Sequence, residues 1–398
     1  MNQDELDAAW SRVVDADGPG YVYSTGQLRS SWQALRSAIP ATAGIYYSLK
    51  ANPHPEIVRL LVQWGADVDV CSLGELQVVL AAGAAAESIS YLGPGKTDAE
   101  LRACVEHRVG TIVVESIAEL GRLSAIAEDA GTQMDIVIRV NPSEAATGSR
   151  LAMGGRARQF GVDEEQLLEL GPDDVHLPGI RVVGFHSYNG TRNLDAQSIV
   201  ATSERLLEVF ERLAARLRVP LLHANLGGGF GVAYHANETM LDLEELTVGL
   251  NRVVGAYEKA HPDGQVHFES GRFLVAPSGT YLTRVVDKKQ SRGKVFVVCD
   301  GGTNHFLGAS GGGSPLRRNF PAEVIGRDGH FRSGQTEPVE VAGPLCTPND
   351  ILLKNAELPA MEVGDRIAVR LAGAYGASAS PLDFLSHDHP FAIFLEED

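Results

Sequence analysis

From residue 45 to 270 the chain alternates two textures. Short apolar, β-branched runs are each followed by a segment whose apolar residues recur every three or four positions. The runs are "GIYYSLK", "ADVDVCS", "SISYLG", "TIVVES", "MDIVIRVNP", "RVVGFHSY", "LLHANLGGG" and "QVHFES", and the intervening segments include "DAELRACVEHRVG" and "SERLLEVFERLAARL". Eight strand-helix alternations in about 250 residues predict a closed (β/α)8 barrel, with a doubly wound open sheet as the alternative that pattern alone leaves standing. After "GRFLVAPSG" the texture changes. "TYLTRVV", "KVFVVCDGG", "EPVEVAG", "DRIAVRLAG" and "FAIFLEE" are strand-like runs separated by Gly, Pro and Asp, and they predict a second, mostly β domain. Residues 309–314, "ASGGGS", form the one flexible-looking patch, and no repeat at a solenoid period is found.

Composition narrows the function. The 398 residues are 44% hydrophobic and 21% charged, as in ordinary globular proteins, and 34 Lys+Arg against 51 Asp+Glu give a net charge of −17. Such an excess of negative charge repels a phosphate backbone, so neither nucleic acid nor an anionic membrane is an expected partner. The start "MNQDELDAAW" is acidic and polar where a signal peptide is basic and then apolar, and no long apolar span follows. A cytoplasmic location is the expectation. Cys71, Cys104, Cys299 and Cys346 are too widely spaced for a Cys-x-x-Cys metal or redox site, and no metal is expected.

In a (β/α)8 barrel the working residues stand at the C-terminal ends of the strands. Those ends present Lys50, Asp69, Arg139, His186, the triplet Gly227, Gly228 and Gly229, and Glu269 with Gly271 and Arg272. A buried ammonium is costly, so Lys50 must be paired or used; burial is expected to lower its pKa and free the amine for a Schiff base. Glycine N–H groups after a strand can wrap a phosphate, although a lone Gly triplet is as often a tight turn. A carboxylate at Glu269 can keep a pyridine nitrogen protonated, and its bland alternative is an ion pair with Arg272. His186 can stack on an aromatic cofactor, where the alternative is an ordinary core histidine.

The ordered set "SLKAN", "DVCSLGEL", "GPGKT", "RVNP", "RQFG", "GFHSYNGT", "NLGGGFG", "ESGRFLVA", "GPLCTPND" and "GAYG" resembles the fold-type III pyridoxal-phosphate decarboxylases over nearly the whole chain. That family includes diaminopimelate, ornithine and arginine decarboxylases. The resemblance implies that Lys50 forms the Schiff base, His186 stacks on the ring and Glu269 faces the pyridinium nitrogen. It implies that the phosphate is held by Gly227 to Gly229, Gly271 and Arg272, with Tyr375 and with Asn189, which stands where relatives have a serine. Asp69 and Arg139 would position the lysine. Cys346, from the neighbouring subunit of a head-to-tail homodimer, would return the proton. The same likeness places residues 1–27 with a C-terminal β domain of 276–398 and assigns 28–275 to the cofactor-binding barrel. Glutamate at the pyridine nitrogen, where related racemases have arginine, argues for decarboxylation.

One departure bears on substrate. In ornithine and diaminopimelate decarboxylases an acid follows the catalytic cysteine, whereas here Thr347 does, leaving Asp350 as the nearby acid. Together with "HSYNGTRNLD" and "FLSH", this places the chain closer to a natural-product branch whose substrates are carrier-tethered or citryl-conjugated amino acids. Arg317 and Arg318 could then meet an acidic or phosphopantetheine-bearing partner, or simply be solvated. The alternatives are diaminopimelate decarboxylase, a non-catalytic pyridoxal-binding regulatory homologue, and a phosphate-binding barrel without the cofactor.

Overall fold

The computed structural model describes residues 17–143, 151–152, 157–188, 190–311 and 318–396, and the chain divides into two compact units. The larger comprises Trp32–Val232 and Met240–Phe273; the smaller comprises Met1–Ser31, Ala233–Thr239 and Leu274–Asp398.

The larger unit is a closed barrel. Its strands are β1 (Gly44–Ser48), β2 (Asp67–Val70), β3 (Ile89–Tyr91), β4 (Thr111–Val114), β5 (Met134–Asn141), β6 (Ile180–His186), β7 (His223–Asn225) and β8 (Gln265–Ser270). Each pairs in parallel with the next, and β8 closes on β1 through Glu269 opposite Tyr46. This closure decides between the two architectures that periodicity allowed. Strands such as "TIVV" are buried along their whole length, as expected where a parallel sheet is covered on both faces. Gly184 marks a place where β6 must approach β7 closely, since a Cβ there would sit 1.9 Å from the His223 carbonyl oxygen.

Helices between the strands start where the sequence supplies caps. Ser72, Ser116, Asp195 and Asp242 each accept the backbone N–H three residues on, and Thr97 with Glu100 forms a reciprocal capping box. The helix Ala196–Leu217 buries Ile199, Ser203, Leu206, Phe210, Leu213 and Leu217, one stripe at helical spacing, and ends on Arg218 in the left-handed conformation. Among the described residues no helix is long and apolar enough to cross a membrane.

The smaller unit is a mostly antiparallel eight-stranded sheet. Its long strand Gly279–Ser291 pairs with Gly20–Ser24, Lys294–Cys299 and Arg366–Val369, and Gly20–Ser24 also runs parallel to Phe391–Leu395. Val22, Leu282, Ile325 and Ala368 form a core cluster on this sheet.

Candidate active site

The alternation of side chains along β2, β5, β6 and β8 turns the last inward residue of each strand toward one end of the barrel. Asp69, Arg139, His186 and Glu269 stand there, all buried. Lys50 follows β1 in a short 3-10 turn, Leu49–Ala51. Arg139 and His186 are register partners on β5 and β6. His186 Nε2 lies 2.8 Å from Glu269 Oε1, which also accepts from Asn225 Nδ2 at 3.1 Å. The Lys50 ammonium sits 5.4 Å from the centroid of the Tyr188 ring. Arg139 Nη1 donates to Glu115 Oε1 at 2.8 Å.

The charges here oppose one expectation. Burial alone would lower the Lys50 pKa, but the Asp69 and Glu269 carboxylates, with Cys71 and Tyr188, outweigh it and hold the pKa above the ordinary lysine value. The amine is stored as ammonium, not freed by desolvation. Burial pushes Asp69 up to about 7 against the pull of Lys50. Burial also opposes ionisation of Glu269, yet His186, Lys50 and Arg139 hold it below the ordinary carboxylate range.

The triplet Gly227–Gly229 follows β7. Gly227 and Gly229 have φ of +66° and +93°, and a Cβ on Gly228 would lie 1.7 Å from the Glu269 carbonyl oxygen, so backbone alone fits. The expected three-donor cradle is smaller than the sequence implied. Gly227 donates its N–H to Asn225 Oδ1 at 2.9 Å, whereas Gly228 and Gly229 donate to no described residue. Gly271 is equally confined, with a Cβ there 2.7 Å from Ala51 Cβ. Arg272 opens the short helix Arg272–Val275 beyond β8.

Buried polar atoms at this end, among the described residues, lack partners: Asp69 Oδ1, His186 Nδ1 and Ser270 Oγ. A strand-end lysine, unpartnered donors and acceptors, two open glycine N–H groups and an ionised glutamate suit a phosphorylated pyridine aldehyde. The residues present therefore fit pyridoxal phosphate. Among the described residues no cluster of acids, cysteines and histidines could hold a metal.

The remaining expected residues, Asn189 apart, belong to the smaller unit. Cys346 is an exposed free thiol. The Thr347 hydroxyl accepts the Asn349 N–H at 3.3 Å and so closes its own turn. Tyr375 is half-buried with φ of +54°, a left-handed conformation costly for a tyrosine, in a loop docked by Ala372 N–H to Gly279 O at 2.8 Å. Asp350, read as an acid near the substrate, is instead 2% exposed: Oδ1 accepts Thr303 N–H at 2.7 Å and Thr303 Oγ1 at 2.8 Å, and Oδ2 accepts Leu345 N–H at 2.8 Å. It organises a turn and is not presented to a ligand. Arg318 lies 3.6 Å from Glu238 and is a paired residue. Asn189 and Arg317 lie outside the described residues.

Sequence reasoning missed Glu115, Asn225 and Tyr188. Each sits inside a run already read as a strand end; for Glu115 and Asn225 a charged or amide residue directly after apolar positions was the available signal, whereas Tyr188 offered none.

Comparisons with known proteins agree with this geometry. Residues 25–276 match the family model described as pyridoxal-dependent decarboxylase, pyridoxal binding domain. The chain is 36% identical over 394 residues to the L-glutamyl-[BtrI acyl-carrier protein] decarboxylase of Niallia circulans, covering 99% of this chain and 91% of that protein. It is 34% identical over 383 residues to the 2-[(L-alanin-3-ylcarbamoyl)methyl]-2-hydroxybutanedioate decarboxylase of Staphylococcus aureus, covering 95% and 94%. The crystal structure of diaminopimelate decarboxylase from Helicobacter pylori complexed with L-lysine superposes with a TM-score of 0.85 at 29% identity, covering 99% of this chain and 94% of that one.

Proposed function

We propose that this chain, which belongs to the pyridoxal-dependent decarboxylases, removes the α-carboxylate of an amino acid whose far end is already joined to a larger group. Its cofactor is pyridoxal phosphate and its reaction is amino-acid decarboxylation. The substrate reading rests on one observation: the residue after Cys346 is the neutral Thr347, and the acid nearby, Asp350, is engaged inside its own unit. Neither can neutralise a distal ammonium. The names of the Niallia and Staphylococcus relatives, a carrier-bound glutamyl substrate and a carbamoyl-linked conjugate, support an open distal end and a place in natural-product or siderophore biosynthesis.

When bound, pyridoxal phosphate supplies an electron-accepting ring that makes departure of CO2 from the α-carbon feasible. Lys50 Nζ would hold the cofactor, the N–H groups of Gly228 and Gly229 with Arg272 its phosphate, His186 a ring face and Glu269 the ring nitrogen. Before its amine can act as a nucleophile, Lys50 must give up a proton. The Asp69 carboxylate is one of the charges that hold this ammonium at the site, and its Oδ1 has no described partner, so Asp69 positions the lysine for the cofactor. Glu269, ionised, stays an acceptor whose carboxylate His186 and Asn225 hold in place. Cys346 of a second copy in a homodimer would return the proton to the α-carbon.

The test is CO2 release by the loaded protein on free meso-diaminopimelate, ornithine, lysine, arginine and glutamate beside carrier-tethered and citryl-conjugated amino acids. Turnover confined to a conjugate is expected. Rapid turnover of a free dibasic acid would overturn the substrate reading. Mixing inactive Lys50→Ala and Cys346→Ala proteins should restore activity through hybrids; none after proven subunit exchange would argue against a shared site.

A further inference from the structure

Four charged side chains are buried and linked to one another: Lys96 in the loop after β3, Glu115 and Glu119 after β4, and Arg139 on β5. The first three have no part in the chemistry described above. Removing two cations and two anions from water costs several kcal/mol per ion before pairing, and well-packed apolar side chains in their place are often no less stable. Stability is therefore a poor reason for the set, and its connections offer a better one.

The connections form a closed ring with one outlet. Gly93, in the loop after β3, donates its N–H to Glu115 Oε1 at 3.2 Å, and its carbonyl accepts Lys96 Nζ at 2.7 Å. Lys96 Nζ lies 2.6 Å from Glu119 Oε1, with both side chains at most 3% exposed. Glu119 Oε2 accepts the Glu115 N–H at 3.2 Å, which completes the ring. The outlet is Arg139: Glu115 Oε1 holds its Nη1 at 2.8 Å, while Glu115 Oε2 accepts Gly161 N–H at 2.8 Å. Gly161 follows Phe160, whose ring centroid lies 4.8 Å from the Arg139 guanidinium carbon. Gly161 has φ of +72°, and a Cβ on it would stand 2.9 Å from the Arg139 carbonyl oxygen. One carboxylate thus sets both walls of the slot that Arg139 occupies.

Arg139 is in turn the register partner of His186, whose Nε2 lies 2.8 Å from Glu269 Oε1, and its charge helps to keep Glu269 ionised. Around the same carboxylate stand Asn225 on β7, at 3.1 Å, Lys50 after β1 and Asp69 on β2. We propose that Glu115, braced by the Lys96–Glu119 ion pair, is the positioning residue that fixes Arg139 and thereby sets the charge balance around the cofactor site. The inference rests on the cofactor reading and is independent of which substrate is used.

The experiment compares three loaded proteins without substrate: wild type, Glu115→Gln, and the charge-neutral double variant Lys96→Met with Glu119→Leu. The readouts are the pH titration of the bound cofactor's visible absorbance, its release rate into cofactor-free buffer, and thermal unfolding. Glu115→Gln, which removes an anion beside Arg139, should move the absorbance midpoint down by about one pH unit. The double variant should release cofactor roughly tenfold faster, and any fall in its melting temperature reports only the Glu115 N–H and Gly93 carbonyl that lose their partners. A merely structural network would lower the melting temperature and leave the spectrum and release rate unchanged. Midpoint and release rate equal to wild type in both variants would overturn the proposal, and the double variant alone decides if Glu115→Gln does not fold. A wild-type protein that takes up no cofactor would instead sink the cofactor reading.

Discussion

The barrel holds buried histidines at both ends, and they differ in what touches them. At the C-terminal end, His186 meets the Glu269 carboxylate at 2.8 Å, among Lys50, Asp69 and Arg139. Toward the floor, His223 and His267 stack on each other with ring centroids 4.1 Å apart and planes 5° from parallel, and Tyr46 covers His267 at 5.0 Å. There the rings act as flat, apolar fillers. Burial holds His267 down to about 4, and burial with the neighbouring His267 and His186 holds His223 well below its ordinary value. The same residue type, equally buried in the same barrel, is tied to a charge at one end and kept neutral at the other. Partners, not burial, separate the chemical histidine from the packing one.

The strongest attack on that contrast is at the charged end. Lys50→Ala should lower turnover by about 1000-fold or more while the protein still folds, because the nucleophilic amine has no substitute among its neighbours. Wild-type turnover in that variant would end the assignment. Exchanging the histidines sharpens the contrast itself. His186→Leu should cost roughly 100-fold in kcat by releasing Glu269 and exposing a ring face, whereas His267→Gln should leave kcat within about threefold. Equal losses at the two ends would show that both are packing positions.

Much of this was legible in advance, and the limits are physical. Strand-helix alternation marked the barrel because parallel strands covered on both faces read as apolar runs, and the glycine punctuation after Phe273 marked the β unit. Lys50, His186 and Glu269 announced themselves as polar residues closing apolar strands. What pattern could not carry was the sign of a field. The raised pKa of Lys50 depends on two carboxylates from strands far apart in sequence, Asp69 and Glu269. Nor could spacing show that Gly227 has given its N–H to Asn225, or that Glu115 is the partner of Arg139, since both are contacts across strands.

The floor pair makes a pH prediction with a definite sign. His267 has a folded pKa of about 4, below the value near 6.5 in an unfolded chain, so the unfolded state binds more protons between those limits. Stability is then full above about pH 6.5 and declines as the pH falls toward 4, by about 3 kcal/mol from this residue alone. Denaturant midpoints measured across that range should fall for wild type and fall less for His267→Gln. Parallel curves would mean that the floor is hydrated and its histidines titrate freely.

Asp350 carries the same lesson into the smaller unit with a smaller effect. Two glycines make room for its carboxylate: a Cβ on Gly302 or Gly343 would come within 2.4 Å of an Asp350 oxygen. In that space Oδ1 serves the Thr303 backbone and hydroxyl while Oδ2 serves the N–H of Leu345, the residue before Cys346. Asp350→Asn keeps the size but must turn an NH2 toward one of these donors, so one bond becomes a donor-donor contact worth about 2 kcal/mol of stability. If the carboxylate only shapes the turn, turnover should fall by the same factor for every substrate tried. A selective loss on dibasic amino acids would instead show that the acid meets a distal ammonium, and would move this buried group from the packing class to the chemical one.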